Sequence, residues 1–325
     1  MAVRVGIVGS GFIAIKHAEA LKEIQGAELA GMCTYSDMDK LKAVSKRLDI
    51  PAFPSLDAMI KNGGLDAAMI CSATVGHFEE IKRIAAEKIP MLVEKPVVGK
   101  KELYPQIYKL ISQNGIRLFP GHNFVYRKSI RKMKEALTGG ALGKVLQSSF
   151  TSTQFLDDFG SGHWRAKRVY SEGGALMDSG HHLIYQMLYL CGLPKRIQCY
   201  AAKRVLAEME DEDMAQLNLQ MTDDSLCNVT VSWASDWSAD FNGIRFLGTD
   251  GEMHLTDALY VNGERICDAE SYEETFLLED EAFLEYVEKG QKPLSTFEDS
   301  QHTVQIIDAA YRSAKEGSVY SLKWH

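Results

Sequence analysis

The chain has 325 residues, of which 46% are hydrophobic and 25% charged, ordinary usage for a globular protein and enough for two domains with separate cores. Its formal charge of 36 − 44 = −8 argues against a nucleic-acid partner, because phosphate-backbone binding needs clustered lysine and arginine, whereas a phosphorylated cofactor needs only one local pocket. No apolar run approaches the roughly 20 residues that span a bilayer, and the N-terminus lacks a signal-peptide cleavage site, so no membrane partner and a cytoplasmic location are expected.

Taken in chain order, Val3–Val8 is an apolar run ending in glycine, and Phe12–Ile24 has helical spacing with Ala18, Leu21 and Ile24 on one side. Glu28–Cys33 reads as a strand and Lys40–Leu48 as a helix. Phe53 and Leu56–Ile60 lead through Asn62-Gly63-Gly64 to a strong strand, Ala67–Cys71. Glu79–Lys88 is expected to be helical, Met91–Val93 a strand, Tyr104–Asn114 a helix and Arg117–Phe119 a strand. This alternation implies a parallel sheet covered on both faces. Beyond it, Val145–Phe155, Ile197–Val205, Met214–Met221 and Leu226–Trp233 alternate polar and apolar residues. Asp223-Asp224, Thr249-Asp250-Gly251 and Asn262-Gly263 read as hairpin turns. Helices are expected at Ile130–Leu137, His182–Cys191 and Gln301–Lys315, with Val319–Leu322 closing the chain. The expected fold class is α/β: a doubly wound parallel sheet over residues 1–123, then an α+β domain over 124–325 with a large, mostly antiparallel open sheet. The six cysteines, Cys33, Cys71, Cys191, Cys199, Cys227 and Cys267, are scattered without a C-x-x-C pair and read as buried, reduced thiols.

Three motifs carry chemistry. Gly9-Ser10-Gly11-Phe12-Ile13-Ala14 joins the first strand to the first helix. Gly9 permits the tight turn, Gly11 lets backbone approach a pyrophosphate, and Ala14 allows close helix–sheet packing. The helix N-terminus offers free N–H groups and the positive end of its dipole. The second strand then ends in Cys33-Thr34-Tyr35-Ser36, without the carboxylate that usually contacts an NAD ribose. Thr34 and Ser36 can donate to a 2′-phosphate, with Lys40 the nearest cation, so the cofactor reading is NAD(P) with a lean to NADP; Thr34 bonding a plain ribose is the alternative. Glu94-Lys95-Pro96 lies at the end of a parallel strand, where such sheets place ligands. Gly173-Gly174-Ala175-Leu176-Met177-Asp178-Ser179-Gly180-His181-His182 sets Asp178 and His182 four residues apart, on one face of a helical turn. Histidine is the natural general base near neutral pH, and a carboxylate beside it supports its protonated form. The alternatives are an N-cap for Asp178 and a core histidine at His182. His181-His182 with Asp178 lacks a further ligand pattern, so no metal is expected.

These motifs, with His17, the run Asp66–His77, Gly121-His122-Asn123, Trp164-Arg165 and Ala310-Tyr311-Arg312-Ser313, resemble the glucose–fructose oxidoreductase, inositol dehydrogenase and rhizopine-catabolism family, written Gfo/Idh/MocA, over essentially the whole chain. The resemblance implies an N-terminal Rossmann domain and an NAD(P)-dependent oxidoreductase that moves a hydride between the nicotinamide and a hydroxyl or ketone of a sugar, sugar derivative or cyclitol. Lys95, Asp178 and His182 fall on the catalytic positions: His182 would take the hydroxyl proton, Lys95 would polarise that oxygen, and Asp178 would steady the site. The cofactor would lie along Gly9, Ser10, Gly11, Phe12 and Ile13, then Thr34, Tyr35 and Ser36. It would continue past Ser72, Ala73, Thr74 and His77 to Glu94, Lys95, Pro96 and Asn123. The substrate would meet Lys95, Asp178 and His182 together with Trp164 and Arg165; Tyr126 and His163 are candidate contacts, with packing the alternative for each. The family pattern also implies a homodimer or homotetramer. Ala73 and Thr74 stand where proline and asparagine are common, Tyr185 replaces an aspartate, and Phe124 and Val125 replace arginines; these departures bear on the substrate more than on the chemistry. A redox-neutral enzyme that cleaves or isomerises a glycoside and a non-catalytic dinucleotide-binding regulator are the competing functions.

Overall fold

The computed structural model describes residues 2–156, 163–235 and 241–324. They form two compact units, one of the chain up to Tyr126 with Ser271–Gln301, the other of Arg127–Glu270 with the chain from His302. The first unit begins β1 (Val3–Val8), α1 (Phe12–Glu23), β2 (Ala27–Cys33), α2 (Met38–Leu48), β3 (Ala52–Phe53) and α3 (Leu56–Gly63). It continues β4 (Ala67–Ile70), α4 (Thr74–Ala86), β5 (Met91–Glu94), α5 (Tyr104–Asn114) and β6 (Leu118–Gly121). The strands are parallel in the order β3-β2-β1-β4-β5-β6. β4 and β5 are buried at every position, as a sheet covered on both faces requires.

The second unit contains α6 (Lys128–Thr138), β7 (Val145–Thr153), α7 (Arg168–Ser171), α8 (Ala175–Cys191), β8 (Pro194–Ala202), β9 (Met214–Met221) and β10 (Leu226–Ser232). After these come β11 (Gly243–Gly248), β12 (Glu252–Leu255), β13 (Ala258–Val261) and β14 (Glu264–Asp268). α9 (Tyr272–Lys289) belongs to the first unit. α10 (Phe297–Glu316) lies mostly in the second, and β15 (Tyr320–Ser321) pairs with β8. The nine strands run β14-β13-β12-β11-β7-β10-β9-β8-β15, and every named pair is antiparallel except β7 with β10. β9 alternates exposed and buried along its length, so one face of the sheet is open. The other face, with Leu217, Val229, Val231 and Phe150, joins Ile184 and Met187 of α8 in one core; each fully buried aliphatic or aromatic side chain there contributes about 1.5–3 kcal/mol. The Asn262-Gly263 turn has φ of 52° and 80°, the left-handed pair a two-residue hairpin needs.

Beyond an α10 that begins at Phe297 rather than Gln301 and the strands β11 to β14, expected only through their turns, three departures have a readable cause. α4 begins at Thr74 rather than Glu79, directly after the extended Ala73, and α8 at Ala175 rather than His182, where the distant Glu212 holds the first backbone N–H groups. The third is α9, which falls in a stretch read without a helix and assigned to the second domain. Its buried stripe is Thr275, Phe276, Glu279, Asp280, Phe283 and Leu284; two carboxylates in that stripe disguise its apolar period. A capping box, Ser271 with Glu274, was the readable start signal. The helix packs in the first unit, where Phe276 stands edge-on to His17 at 5.0 Å and Phe283 meets Phe119 at 5.6 Å.

Candidate active site

In a parallel sheet all the carboxyl ends of the strands share one edge. Gly9–Ile13 follow β1, Thr34–Ser36 follow β2, Ser72–Thr74 follow β4, Lys95 and Pro96 follow Glu94 at the end of β5, and Asn123 follows β6, so one edge carries every candidate cofactor position of this unit except His77, on the first turn of α4. The strand order reverses direction between β1 and β4, the switch point at which doubly wound sheets bind ligands. Gly9 has φ of 121°, and a Cβ there would sit 2.6 Å from the Cys71 carbonyl oxygen; only glycine lets the two loops meet so closely. Gly11 is the opposite case: a Cβ there would meet nothing within 4 Å. Gly11 is also the N-cap of α1, which has no side-chain cap and no acidic residue in its first turn. Open space above uncapped N–H groups fits an anionic pyrophosphate. At the tip of β2, Thr34 Oγ1 and Ser36 Oγ lie 3.2 Å apart and Tyr35 is exposed. These residues fit a dinucleotide.

Beside this edge Ser72 Oγ donates to Glu80 at 2.6 Å, and burial pushes the Glu80 carboxyl up to about 7. Unfolded, it ionises near 4.5. Between these values the folded state holds a proton that the unfolded state has released, so stability falls as pH rises through that window and stays lower above it. Glu80→Gln is therefore expected to raise the thermal midpoint at pH 8.5 by a few degrees, at most about 3 kcal/mol, and to change it little at pH 4.5. Equal shifts at both pH values would show that Glu80 ionises normally.

The Lys95 turn is backed by buried polar groups. Glu94 Oε2 accepts from the Lys95 backbone N–H at 2.9 Å, and Glu94 Oε1 lies 3.1 Å from His17 Nε2. His17 Nδ1 lies 2.7 Å from Asp280 Oδ1. Burial alone would lower the His17 pKa, but the carboxylates of Asp280 and Glu94 hold it well above its ordinary value, which favours a ring that donates from both nitrogens. His17, Glu279 and Asp280 bring potential metal ligands within 4.8 Å of one another, and both ring nitrogens of His17 already face a carboxylate, Asp280 and Glu94. Burial, then the charge of Glu94, pushes Glu279 well above the usual carboxyl range. On the other side of the turn, His77 Nδ1 lies 3.1 Å from the Pro96 carbonyl and 3.2 Å from that of Val97, and its Nε2 is 3.1 Å from the Ser72 carbonyl; burial lowers its pKa. His122 is driven down to about 3 by burial and then by the Lys95 charge, and its Nδ1 is 2.6 Å from Ser295 Oγ. Asn123 donates to Thr275 at 2.8 Å, and Tyr126, buried, stacks on Phe119 at 5.4 Å.

In the second unit the site candidates gather at the start of α8. Twelve residues of this 17-residue helix are buried. Asp178, Ser179 and His182 are not, and their spacing makes them one open stripe on an otherwise enclosed helix. Asp178 accepts from Arg165 Nε at 2.6 Å, and the Arg165 guanidinium lies 4.5 Å from the centre of the Trp164 ring. The His163 ring accepts the Arg165 backbone N–H at 3.2 Å and stacks on Trp164 at 6.0 Å. His182 Nδ1 is 2.8 Å from the hydroxyl of Tyr185. Tyr185, noted in the sequence only as a departure, thus orients the candidate base, a role that i, i+3 spacing from His182 could have signalled. Glu212 supplies what Gly174 cannot as a cap: its backbone carbonyl accepts from Ala175 N and its carboxylate from Leu176 N, both at 3.0 Å. Tyr311 donates to the same carboxylate at 2.9 Å. Neither Glu212 nor the task of Tyr311 was read from the sequence, because both act on α8 from distant chain.

Residues 3–122 match the model of an oxidoreductase family with an NAD-binding Rossmann fold, and residues 130–254 match a GFO/IDH/MocA C-terminal domain. Among similar proteins, D-apiose dehydrogenase of Rhizobium rhizogenes is 24% identical, covering 96% of this chain and 95% of its own. Myo-inositol 2-dehydrogenase of Thermotoga maritima is 26% identical over 97% of both chains. The structure of a levoglucosan dehydrogenase complexed with NADH and levoglucosan shares the fold, with a TM-score of 0.89, 17% identity and full coverage of both chains. No helix among the described residues is long and apolar enough to cross a membrane.

Proposed function

We propose a reaction from one premise: the chain belongs to the Gfo/Idh/MocA family of oxidoreductases, whose models match both of its parts. It is an enzyme of the dehydrogenase type acting on a sugar-like substrate, and its reaction is the interconversion of a secondary hydroxyl and a ketone in a sugar, sugar derivative or cyclitol. Gly9–Ile13, Thr34–Ser36, Ser72–Thr74, His77, Glu94–Pro96 and Asn123 would hold the dinucleotide, which when bound would supply a nicotinamide to accept or return the hydride. His182 takes the hydroxyl proton at Nε2, which requires Nδ1–H to donate to Tyr185. Lys95 polarises the substrate oxygen. Asp178 holds Arg165, and with Trp164 and His163 these groups present a charged and aromatic surface suited to a polyol; Tyr126, buried against Phe119, has the packing role. The observation that carries the reading is the stripe of Asp178, Ser179 and His182 left open on a buried helix. It is tested by a panel of D-apiose, D-xylose, myo-inositol and levoglucosan with NAD and NADP, followed at 340 nm. A rise in absorbance with a panel member supports the reading. Substrate consumed without net absorbance change would instead mark a redox-neutral enzyme, and a folded protein that binds dinucleotide but turns over none of the panel would count against it.

For the cofactor we favour NADP, because Thr34 puts no carboxylate beside a 2′-phosphate. Thr34→Asp should move preference toward NAD through charge repulsion, measured as the ratio of the two dissociation constants. Wild-type protein that binds NAD more than about tenfold tighter than NADP, a gap of about 1.4 kcal/mol, would remove this preference. We also propose a homodimer or homotetramer joined through the open sheet face, where Tyr200, Met214 and Leu226 are exposed. Light scattering at micromolar concentration should give a multiple of 36.2 kDa, and a monomer would end that proposal.

A further inference from the structure

We propose that His17, held by Asp280, is a positioning residue for Lys95, acting through Glu94. The inference rests on the reading of Lys95 as the polarising group. The chain of contacts is continuous: Asp280 to His17 at 2.7 Å, His17 to Glu94 at 3.1 Å, Glu94 to the Lys95 backbone N–H at 2.9 Å. Because one carboxylate bridges the His17 ring and the Lys95 amide, the lysine's peptide plane, and with it the Cα–Cβ direction, is referred to two helices, α1 through His17 and α9 through Asp280. The pocket is built for this carboxylate. A Cβ at Gly121 would stand 2.9 Å from Glu94 Cα and 3.2 Å from its carboxyl group, so glycine is needed on the neighbouring strand. His77 fixes the far side of the same turn through the Pro96 and Val97 carbonyls.

Stability does not account for this arrangement. His17 and Asp280 are fully buried, and exchanging a buried ion pair for well-packed apolar side chains of similar volume is often neutral or stabilising. What a buried, hydrogen-bonded charge chain provides is a single geometry, and catalysis is sensitive to geometry: displacement of a reacting group by about 1 Å can cost 10²-fold in rate.

The test compares wild type with His17→Ala, His17→Gln, Asp280→Asn and Lys95→Met, and with His17→Ala combined with Lys95→Met. The assay uses the panel compound that wild type turns over fastest. His17→Ala should lower kcat by about 10- to 100-fold while substrate KM and dinucleotide Kd move much less. His17→Gln, whose amide can still donate to Glu94, should recover most of the rate. In the Lys95→Met background His17→Ala should cost nothing further, since its effect passes through the missing amine. A second readout needs no substrate: acetylation of Lys95 by acetic anhydride, measured by peptide mass spectrometry relative to the exposed Lys42, should change severalfold in His17→Ala. Wild-type kcat in folded His17→Ala, an equal loss in both lysine backgrounds, or an unchanged Lys95 acetylation ratio would overturn the proposal. If His17→Ala does not fold, Asp280→Asn is judged by kcat and the same acetylation ratio, and wild-type values for both would overturn it. Full activity in Lys95→Met would instead refute the role given to Lys95, with the acetylation ratio still reporting whether His17 holds the turn.

Discussion

Lys95→Met and His182→Asn are each expected to lower kcat by about 10²–10⁴, with dinucleotide Kd and thermal midpoint close to wild type. Both residues are only partly buried, so neither truncation opens a cavity of the kind that makes core substitutions costly. His182→Asn removes the proton acceptor while keeping a polar group near Tyr185, and Lys95→Met keeps most of the volume while removing the charge. If both act on one hydroxyl, the double variant should lose less than the product of the single losses. The contrary pattern, a lowered melting temperature with normal turnover by the remaining folded protein, would make His182 a structural histidine. Near-wild-type kcat in either single variant would remove that residue from the mechanism.

Two glycines should fail in opposite ways. Gly174→Ala drives a Cβ onto the Glu212 carbonyl, and the Glu212 carboxyl carbon lies only 2.7 Å from it. That residue cannot step aside cheaply, because it accepts from Ala175, Leu176 and Tyr311. Overpacking costs about 1–3 kcal/mol and each weakened hydrogen bond to the carboxylate about 1.5–3, so a loss near 4 kcal/mol, roughly 10 °C in midpoint, is expected. Turnover should fall with it, since the open stripe of α8 starts one turn later. Gly11→Ala places its Cβ in open space at φ −76°, a conformation any residue adopts, so the midpoint should hold while dinucleotide affinity drops at least about tenfold, some 1.4 kcal/mol. A stable Gly174→Ala protein, or undiminished dinucleotide affinity in Gly11→Ala, would contradict the respective assignment.

Local chemistry was legible in the sequence. The Gly9–Ala14 turn, most strands of the first sheet, β7 to β10 of the second and the Asp178/His182 spacing follow from periods and turn residues that act over a few positions; β11 to β14 were announced only by the turns between them. What was not legible depends on distant chain. The start of α8 is set by Glu212, 36 residues from Leu176, and no local cap announces it. α9 was hidden because Glu279 and Asp280 occupy its inward face, where an amphipathic pattern requires apolar residues. His17 was visible as a motif member, but its partners lie 77 and 263 residues away, so no spacing rule could supply its task.

That last separation matters while the chain is being made. At about 5–20 residues per second, Asp280 leaves the ribosome roughly 15–50 s after His17. Throughout this interval the nascent N-terminal sheet lacks α9, and the surface of α1 that Phe276 will cover stays open, beside an imidazole and Glu94 that have not yet met their partner. The first unit to be started is thus left waiting while Arg127–Glu270 of the second is made, and a chain stopped anywhere between Tyr126 and Ser271 would present that unfinished surface to chaperones and proteases as a half-built protein rather than as a finished domain.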